Sequence, residues 1–226
     1  MKYEAVIFDL GGTLSRSAAW SEYRDAARKI ASICSAPEEK FVEMWFAHGA
    51  GLGTGLYPTY QDYIRHVCRL MGLDIPDNLL ALGEAVCFSV TRQQITTPRA
   101  GALELLSYLK TNNYKIGLIS DCHYDVPEIW NETPFAPYFD VTVFSCQAGM
   151  NKADPRIFRI ALEKLAVTPD KCMYIADGMR QELANASKLG MRAVQILVPE
   201  EIDDIPLRED WHGPVISSLN EILALL

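Results

Sequence analysis

Three polar residues that could do chemistry stand where short apolar runs end: Asp9, Ser120 and Asp177. In parallel, doubly wound sheets the functional site lies beyond the carboxyl ends of the strands, where such residues would meet. A carboxylate there can attack an electrophile or bind a hard cation. The alternative is that each residue only caps the turn after its strand. Because three such endings occur together with Lys152, we favour a shared functional centre at Asp9.

Four stretches of sequence surround these residues. They are Phe8-Asp9-Leu10-Gly11-Gly12-Thr13-Leu14, Leu118-Ile119-Ser120-Asp121, Lys152-Ala153-Asp154-Pro155-Arg156-Ile157-Phe158, and Tyr174-Ile175-Ala176-Asp177-Gly178 followed by Glu182. In order and spacing they resemble the four motifs of the haloacid dehalogenase superfamily. The resemblance extends over nearly the whole chain, and it implies the doubly wound α/β core of that superfamily.

The resemblance also implies catalytic and binding roles. Asp9 would attack phosphorus and form an aspartyl-phosphate. Lys152 and the Ser120 hydroxyl would act with it by stabilising the phosphoryl oxygens, since phosphoryl transfer depends mainly on positioning and charge neutralisation. The substrate would be bound by Ser120, Asp121, Lys152 and the backbone at Gly12.

A Mg²⁺ site is implied in the same way. Mg²⁺ is a hard ion that takes few carboxylates and keeps several of its waters. Asp9 and Asp177 would hold it, and the carbonyl oxygen of Gly11 would be a further ligand. Glu182 would support the ion from behind these ligands, so the predicted metal site comprises Asp9, Gly11, Asp177 and Glu182.

Two positions depart from the pattern of the family. Its phosphatases usually carry a second Asp, two residues after the nucleophile, that works as general acid and base, and here that position is Gly11. Glycine cannot transfer a proton. Members without this Asp include phosphonatases, P-type ATPases and haloacid dehalogenases, and the dehalogenases usually have Tyr there and need no metal. The other departure is Glu182, where Asp is commoner.

Three functions follow from these motifs. The first is a Mg²⁺-dependent phosphatase acting on a small phosphorylated metabolite, which is favoured because a metal-free dehalogenase would not need Asp177 and Glu182. The second is cleavage of a carbon–halogen or carbon–phosphorus bond through Asp9. The third is a catalytically degenerate member that binds a phosphorylated ligand, which Gly11 motivates. The sequence predicts neither the metabolite nor an oligomeric state.

Alternating apolar runs and amphipathic segments form the frame that would position these residues. Patterns typical of buried strands occur at residues 5–10, 115–120, 141–145, 172–176 and 193–198. Helical patterns occur between the later runs, at residues 99–112, 154–166 and 180–190. This alternation predicts a doubly wound parallel sheet, a Rossmann-like α/β core with right-handed crossovers. A capping box at residues 218–221 predicts a final helix.

The segment after the first motif has a different pattern. It contains no strand-like run and four helix-like stretches, at residues 18–34, 37–48, 59–71 and 77–93. We therefore predict an all-helical cap domain over residues 15–96, inserted into a core domain of residues 1–14 and 97–226. The glycine-rich residues 49–55 follow a helix, which favours a flexible helix connection over a dinucleotide loop, with a substrate-facing loop as the alternative.

Composition and charge limit the partners. The formal charge of −8 and the pI of about 5.0 exclude a surface field that would attract nucleic acid or an anionic membrane. No apolar run approaches membrane-spanning length, and the six cysteines show neither C-x-x-C nor zinc-ligating spacing. We therefore expect a cytoplasmic protein with reduced thiols that acts on a small-molecule phosphorylated substrate.

Overall fold

The computed structural model of the chain describes residues 2–16, 19–198 and 208–226. The predicted start of the first cap helix at residue 18 lies outside the described residues, as do residues 199–207. The described strands are β1 (Ala5–Phe8), β2 (Lys115–Ser120), β3 (Val141–Phe144), β4 (Cys172–Ala176), β5 (Arg192–Ile196) and β6 (Val215–Ile216). The five predicted strands are confirmed, and the two-residue strand β6 is an addition that its short apolar run did not indicate.

The strands form one parallel sheet in the order β3-β2-β1-β4-β5-β6. β1 lies in the interior, where Phe8 pairs with Leu118 on one side and Ile175 on the other. All four residues of β1 are buried, as expected for a strand covered on both faces. The strand order changes direction between β1 and β4, and the residues that follow these strands meet at this switch point.

Helices cover both faces of the sheet. Those of the α/β core are α5 (Ala102–Thr111), α6 (Asp125–Ile129), α7 (Ser145–Ala148), α8 (Arg156–Leu165) and α9 (Glu182–Lys188). Alternate residues of β1 point to opposite faces, so Val6 and Phe8 pack in the cluster that contains α5, whereas Ala5 and Ile7 pack in the cluster that contains α8 and α9. The predicted doubly wound α/β class is confirmed, while the short helices α6 and α7 were not predicted.

The helices between β1 and α5 pack around an apolar cluster of their own. They are α1 (Trp20–Ile33), α2 (Glu38–His48), α3 (Tyr60–Leu70) and α4 (Asp77–Ile95). Their buried cluster includes Ile30, Phe41, Tyr63, Ile64 and Leu80. The glycine-rich connection forms a 3-10 helix over Gly49–Thr54. We call this helical layer the cap, and the domain boundaries at residues 14/15 and 96/97 stay a prediction.

The two chain crossings between cap and core lie side by side. Ser15 and Pro98 form an antiparallel bridge, and the Arg99 N–H donates to the Leu14 carbonyl at 2.7 Å. The Arg99 guanidinium also donates to the carbonyl oxygens of Thr13 and Gly12, both at 2.9 Å. Both crossings are therefore tied directly to the turn that follows Asp9.

The C-terminal capping box is confirmed, with Asn220 N–H donating to Ser218 Oγ and Ser218 N–H donating to Glu221. The final helix that it begins is a 3-10 helix, Leu219–Ala224. Over the part of the chain that the structure describes, no helix is both long and apolar enough to cross a membrane.

Candidate active site

Asp9 follows β1 at the carboxyl edge of the sheet. Its backbone N–H continues the pairing with β4 by donating to the Ile175 carbonyl at 2.9 Å. Its carboxylate is buried and bonded on both oxygens: Thr13 Oγ1 donates to Oδ2 at 3.0 Å, and Lys152 Nζ donates to Oδ1 at 2.5 Å. A rigid strand and two donors thus fix the carboxylate that would be the nucleophile.

The turn after Asp9 needs glycine at one position for its conformation. Gly12 has a φ of 81°, in the left-handed region that costs other residues free energy. Its N–H donates to the Ser15 carbonyl at 2.9 Å, so Gly12 closes the turn, and its part in phosphate binding stays a prediction. The role of the Gly11 carbonyl as a metal ligand likewise stays a prediction.

Lys152 lies between two carboxylates in the interior. Its Nζ is 2.5 Å from Asp9 Oδ1 and 2.5 Å from Glu182 Oε2. Burial alone would lower the pKa of Lys152, but the two carboxylates raise it well above its usual value, so the ammonium stays protonated. Its backbone is fixed as well, because Lys152 N–H donates to Asp121 Oδ1 and its carbonyl accepts from Asn185 Nδ2, both at 2.9 Å.

Glu182 begins α9 and is completely buried. Oε1 accepts from the N–H groups of Gly178 and Met179, at 3.0 and 2.8 Å. Oε2 accepts from Lys152 and, at 2.6 Å, from the Tyr174 hydroxyl. With both oxygens engaged, Glu182 holds Lys152 and the turn after β4 in position, and its support of the metal ligands stays a prediction.

The third carboxylate, Asp177, has an oxygen that is short of partners. Asp9, Asp177 and Glu182 each bring a carboxylate oxygen to within 4.8 Å of the others. Asp177 Oδ1 is buried without a hydrogen bond among the described residues, and Oδ2 is 3.9 Å from Arg208 Nη2. A buried, unpaired carboxylate oxygen is costly, and it is the donor that a hard cation prefers. The residues present therefore fit a Mg²⁺ ion.

The pKa values of this cluster support the same conclusion. Burial and the neighbouring Glu182 raise the pKa of Asp9 to about 6, against the opposing effect of Lys152. Burial and the carboxylates of Glu182 and Asp9 raise the pKa of Asp177 well above its usual range. A bound divalent cation would lower both values, because it favours the ionised carboxylates.

The second predicted motif lies beside this cluster. Ser120 is the last residue of β2 and is buried, one position further along the strands than Asp9. The structure gives Asp121 a positioning contact, since its Oδ1 accepts from the backbone of Lys152, while its Oδ2 is buried without a hydrogen bond among the described residues. The substrate-binding roles of both residues stay predictions.

Three residues of this site were missed by the sequence analysis: Thr13, Tyr174 and Asn185. Tyr174 had a usable signal, because a phenol inside a strand buried on both faces needs a partner for its hydroxyl. The sequence around Thr13 is that of an ordinary turn, and the sequence around Asn185 is that of an ordinary helix. Only folding brings Thr13 to Asp9 and Asn185 to the backbone of Lys152.

The chain is similar to several curated proteins, three of which are described here. It is 29% identical over 44% of its length to the Rhythmically expressed gene 2 protein of Drosophila melanogaster, and 24% identical over 61% to a glyceraldehyde 3-phosphate phosphatase of Methanopyrus kandleri. These alignments span 41% and 62% of those proteins, less than two thirds of either. A phosphorylated carbohydrates phosphatase of Thermotoga maritima is 27% identical over 99% of this chain and 90% of its own length.

Solved structures resemble the whole chain. The 2-haloacid dehalogenase of Pseudomonas syringae superimposes with a TM-score of 0.69 at 20% identity, over 99% of this chain and 97% of that one. A HAD family enzyme of Bacteroides thetaiotaomicron, in complex with magnesium and inorganic phosphate, gives a TM-score of 0.65 at 20% identity over 93% and 98%. At such identities the likeness shows the fold alone.

The family match covers every motif described above. Residues 3–190 match the haloacid dehalogenase-like hydrolases, and this range includes the turn after β1, the whole cap, Asp177 after β4 and Glu182 at the start of α9. The chain therefore belongs to the haloacid dehalogenase-like hydrolases.

Proposed function

We propose that this hydrolase is a Mg²⁺-dependent phosphatase that acts on a small phosphorylated metabolite through an aspartyl-phosphate at Asp9. The observation that carries the proposal is the unpaired, buried Oδ1 of Asp177 beside two further carboxylates. Three carboxylates around one lysine leave an excess of negative charge in the interior, which a divalent cation would neutralise. A metal-free dehalogenase mechanism gives no use to this arrangement.

The residues of the chain support the first chemical step as follows. An oxygen of Asp9 bonds to phosphorus while the bond from phosphorus to the leaving oxygen breaks, and the electron pair stays with the leaving group. Lys152 stays protonated and lies against Asp9, so it can neutralise phosphoryl oxygens that approach the nucleophile. Mg²⁺ held by Asp9 and Asp177 would supply further positive charge to those oxygens.

The relatives support a phosphatase over other hydrolases. The Methanopyrus kandleri and Thermotoga maritima proteins are named as phosphatases of glyceraldehyde 3-phosphate and of phosphorylated carbohydrates. The Bacteroides thetaiotaomicron enzyme of the same fold has been crystallised with magnesium and inorganic phosphate. These names and this complex favour a small phosphorylated metabolite as the substrate.

The test is a screen of phosphorylated metabolites for phosphate release, with Mg²⁺ and with a chelator. We expect release that requires Mg²⁺ and that is lost in Asp177→Asn, because the amide cannot replace an anionic ligand. Release that continues unchanged in the chelator would contradict the proposed metal dependence. Halide release from a haloacid without any phosphate release would contradict the phosphatase itself.

A second candidate is a catalytically degenerate protein that binds a phosphorylated ligand. It is favoured by Gly11, which puts no proton-transferring side chain two residues after the nucleophile. Tight binding of a phosphorylated metabolite, with no product at enzyme concentrations equal to the substrate, would identify this case.

A further inference from the structure

The space beside Gly11 is bordered by a residue of the cap. A Cβ atom added at Gly11 would lie 3.1 Å from Nε2 of Gln94, at the end of α4. Gly11 itself does not have a left-handed φ, unlike Gly12 next to it. A side chain at position 11 would therefore be in tight contact with Gln94, which would have to shift slightly, whereas the backbone conformation would accept another residue.

Gln94 is held in a defined orientation. The Tyr23 hydroxyl donates to Gln94 Oε1 at 3.3 Å, and Gln94 Nε2 lies 3.5 Å from the Arg16 carbonyl oxygen, a long hydrogen bond. A carbonyl oxygen can only accept, so the nitrogen end of the carboxamide is the one that faces Arg16 and Gly11. The carboxamide nitrogen carries two N–H groups, and the second can donate into the space beside Gly11.

We propose that Gln94 is the positioning residue for the dephosphorylation step, and that it orients the attacking water at the place where a side chain on residue 11 would otherwise stand. This inference rests on the proposed phosphatase function. The position follows from the fold, since Gly11 is two residues beyond Asp9 in the same tight turn and the cap brings Gln94 against it. A carboxamide can hold a water by hydrogen bonds but cannot take its proton.

The step balances without a general base. The water oxygen bonds to phosphorus, and the bond between phosphorus and the Asp9 oxygen breaks and returns its electron pair to the carboxylate. The product is dihydrogen phosphate, which carries both water protons: one stays on the new oxygen, and the other is transferred to a phosphoryl oxygen. Glutamine has the same water-orienting role in small GTPases, where it also cannot serve as a strong base.

The experiment follows the two phases of turnover with p-nitrophenyl phosphate and Mg²⁺. Rapid mixing gives the rate of the first p-nitrophenolate burst, which reports formation of the phosphoenzyme, and the steady rate, which reports its hydrolysis. Gln94→Ala should leave the burst rate unchanged and lower the steady rate by roughly 10²-fold, the cost of losing alignment by about 1 Å. Gln93→Ala is the matched control, because Gln93 is the neighbouring, exposed residue of α4 and should change neither phase.

Two further variants separate positioning from a general structural effect. Gly11→Ala places a methyl group against Nε2 of Gln94, so it should lower the steady rate and leave the burst rate unchanged. In the Gln94→Ala background the same substitution should not lower the steady rate any further. Gln94→Glu keeps the size and adds a base, so its steady rate should exceed that of Gln94→Ala and rise with pH as the carboxylate ionises.

The outcomes distinguish this inference from the function on which it rests. A wild-type enzyme that never forms a phosphoenzyme overturns the proposed function and this inference together. A phosphoenzyme that forms normally, with equal steady rates in wild type and Gln94→Ala, overturns the role of Gln94 and leaves the proposed function standing. Equal losses in the burst and the steady phase would also overturn it, because they indicate a displaced active site rather than a missing water contact.

Discussion

The two sides of the active site are built by different means. On the core side, charged groups lie in direct contact, with Lys152 within 2.5 Å of both Asp9 and Glu182. On the cap side, hydrogen bonds between cap and core residues hold the layers together: the Tyr60 hydroxyl lies 2.5 Å from His123 Nδ1, and Thr91 donates to Asp125. The core side contains the charged groups for the chemistry, whereas the cap side contains groups that position other groups and close the site.

Burial affects the two sides in different ways. On the core side Lys152 keeps its proton, because the Asp9 and Glu182 carboxylates outweigh the effect of burial on its pKa. On the cap side burial lowers the pKa of His123 to about 4, so the imidazole is neutral at pH 7, and it raises the pKa of Asp125 to about 6. The comparison indicates that changes to the charged groups of the core side should reduce catalysis, while changes to the Tyr60–His123 and Thr91–Asp125 contacts should mainly alter stability and closure.

The largest effect is expected for Asp9→Asn. Asparagine has nearly the same shape but is a poor nucleophile, so turnover should be abolished while the fold remains, with Glu182 still paired to Lys152. Phosphate release and circular dichroism measure the two properties. A variant that keeps most of the wild-type rate would remove Asp9 from the mechanism.

A smaller catalytic effect is expected for Glu182→Gln. The neutral amide would weaken the hold on Lys152 and on the N–H groups of Gly178 and Met179, so Mg²⁺ affinity or rate should fall roughly 10- to 100-fold. Mg²⁺ titration of the rate measures this effect. If the variant and the wild type give the same Mg²⁺ titration, Glu182 is only a structural residue. The core side would then differ less from the cap side than we infer.

Asp125→Asn should change stability, with a definite dependence on pH. Because burial raises the pKa of Asp125 to about 6 from 3.8, the folded state binds the proton more tightly, and stability is lost as pH rises from about 4 to above 6. Asparagine does not ionise, so it does not lose stability in this way. Relative to wild type, the free energy of unfolding of the variant should therefore rise by up to about 3 kcal/mol between pH 4 and pH 8. Urea unfolding of both proteins at pH 4 and at pH 8 measures this change in unfolding free energy.

The control for this variant is Asp74→Asn, an exposed carboxylate of the cap that should show no such pH-dependent gain. A difference in unfolding free energy between Asp125→Asn and wild type that is the same at all pH values would mean that burial does not raise the pKa of Asp125. The claim about the cap side would then lose its electrostatic part.

The smallest effect is expected for Tyr60→Phe. It removes the hydroxyl that bonds to His123 across the boundary of cap and core, which should cost about 1 kcal/mol in unfolding free energy. It should also increase hydrogen exchange in residues 121–125. Tyr57→Phe changes a partly buried phenol of the same cap and serves as the control. Exchange that increases equally in both variants would show that the Tyr60–His123 contact does not hold the cap.

The core side could be predicted from the sequence to a large extent, and the cap side could not. Asp9, Ser120 and Asp177 each follow an apolar run, so the strand pattern and the topology of a parallel sheet bring them together. The contact of Gln94 with Tyr23 joins residues 71 positions apart on two helices, and nothing in the local pattern of either helix indicates it.

Other features depended on packing that a sequence pattern does not encode. The sequence motifs assign no role to Asp125, which α6 buries against Thr91 of the cap. β6 has only two residues, too few for any period to be recognised. The motif of Glu182 predicts a place behind the metal ligands, but its bonds to Tyr174 and to two backbone N–H groups depend on the folded turn after β4.

The most direct test of the account is whether Asp9 becomes phosphorylated in the presence of Mg²⁺. The enzyme is mixed with p-nitrophenyl phosphate, quenched in acid within the first turnover, and examined by peptide mass spectrometry. We predict one added phosphoryl group on the peptide that contains Asp9, present with Mg²⁺ and absent with a chelator or in Asp9→Asn. Phosphate release with no phosphoryl group on Asp9 at any time of quenching would contradict the account.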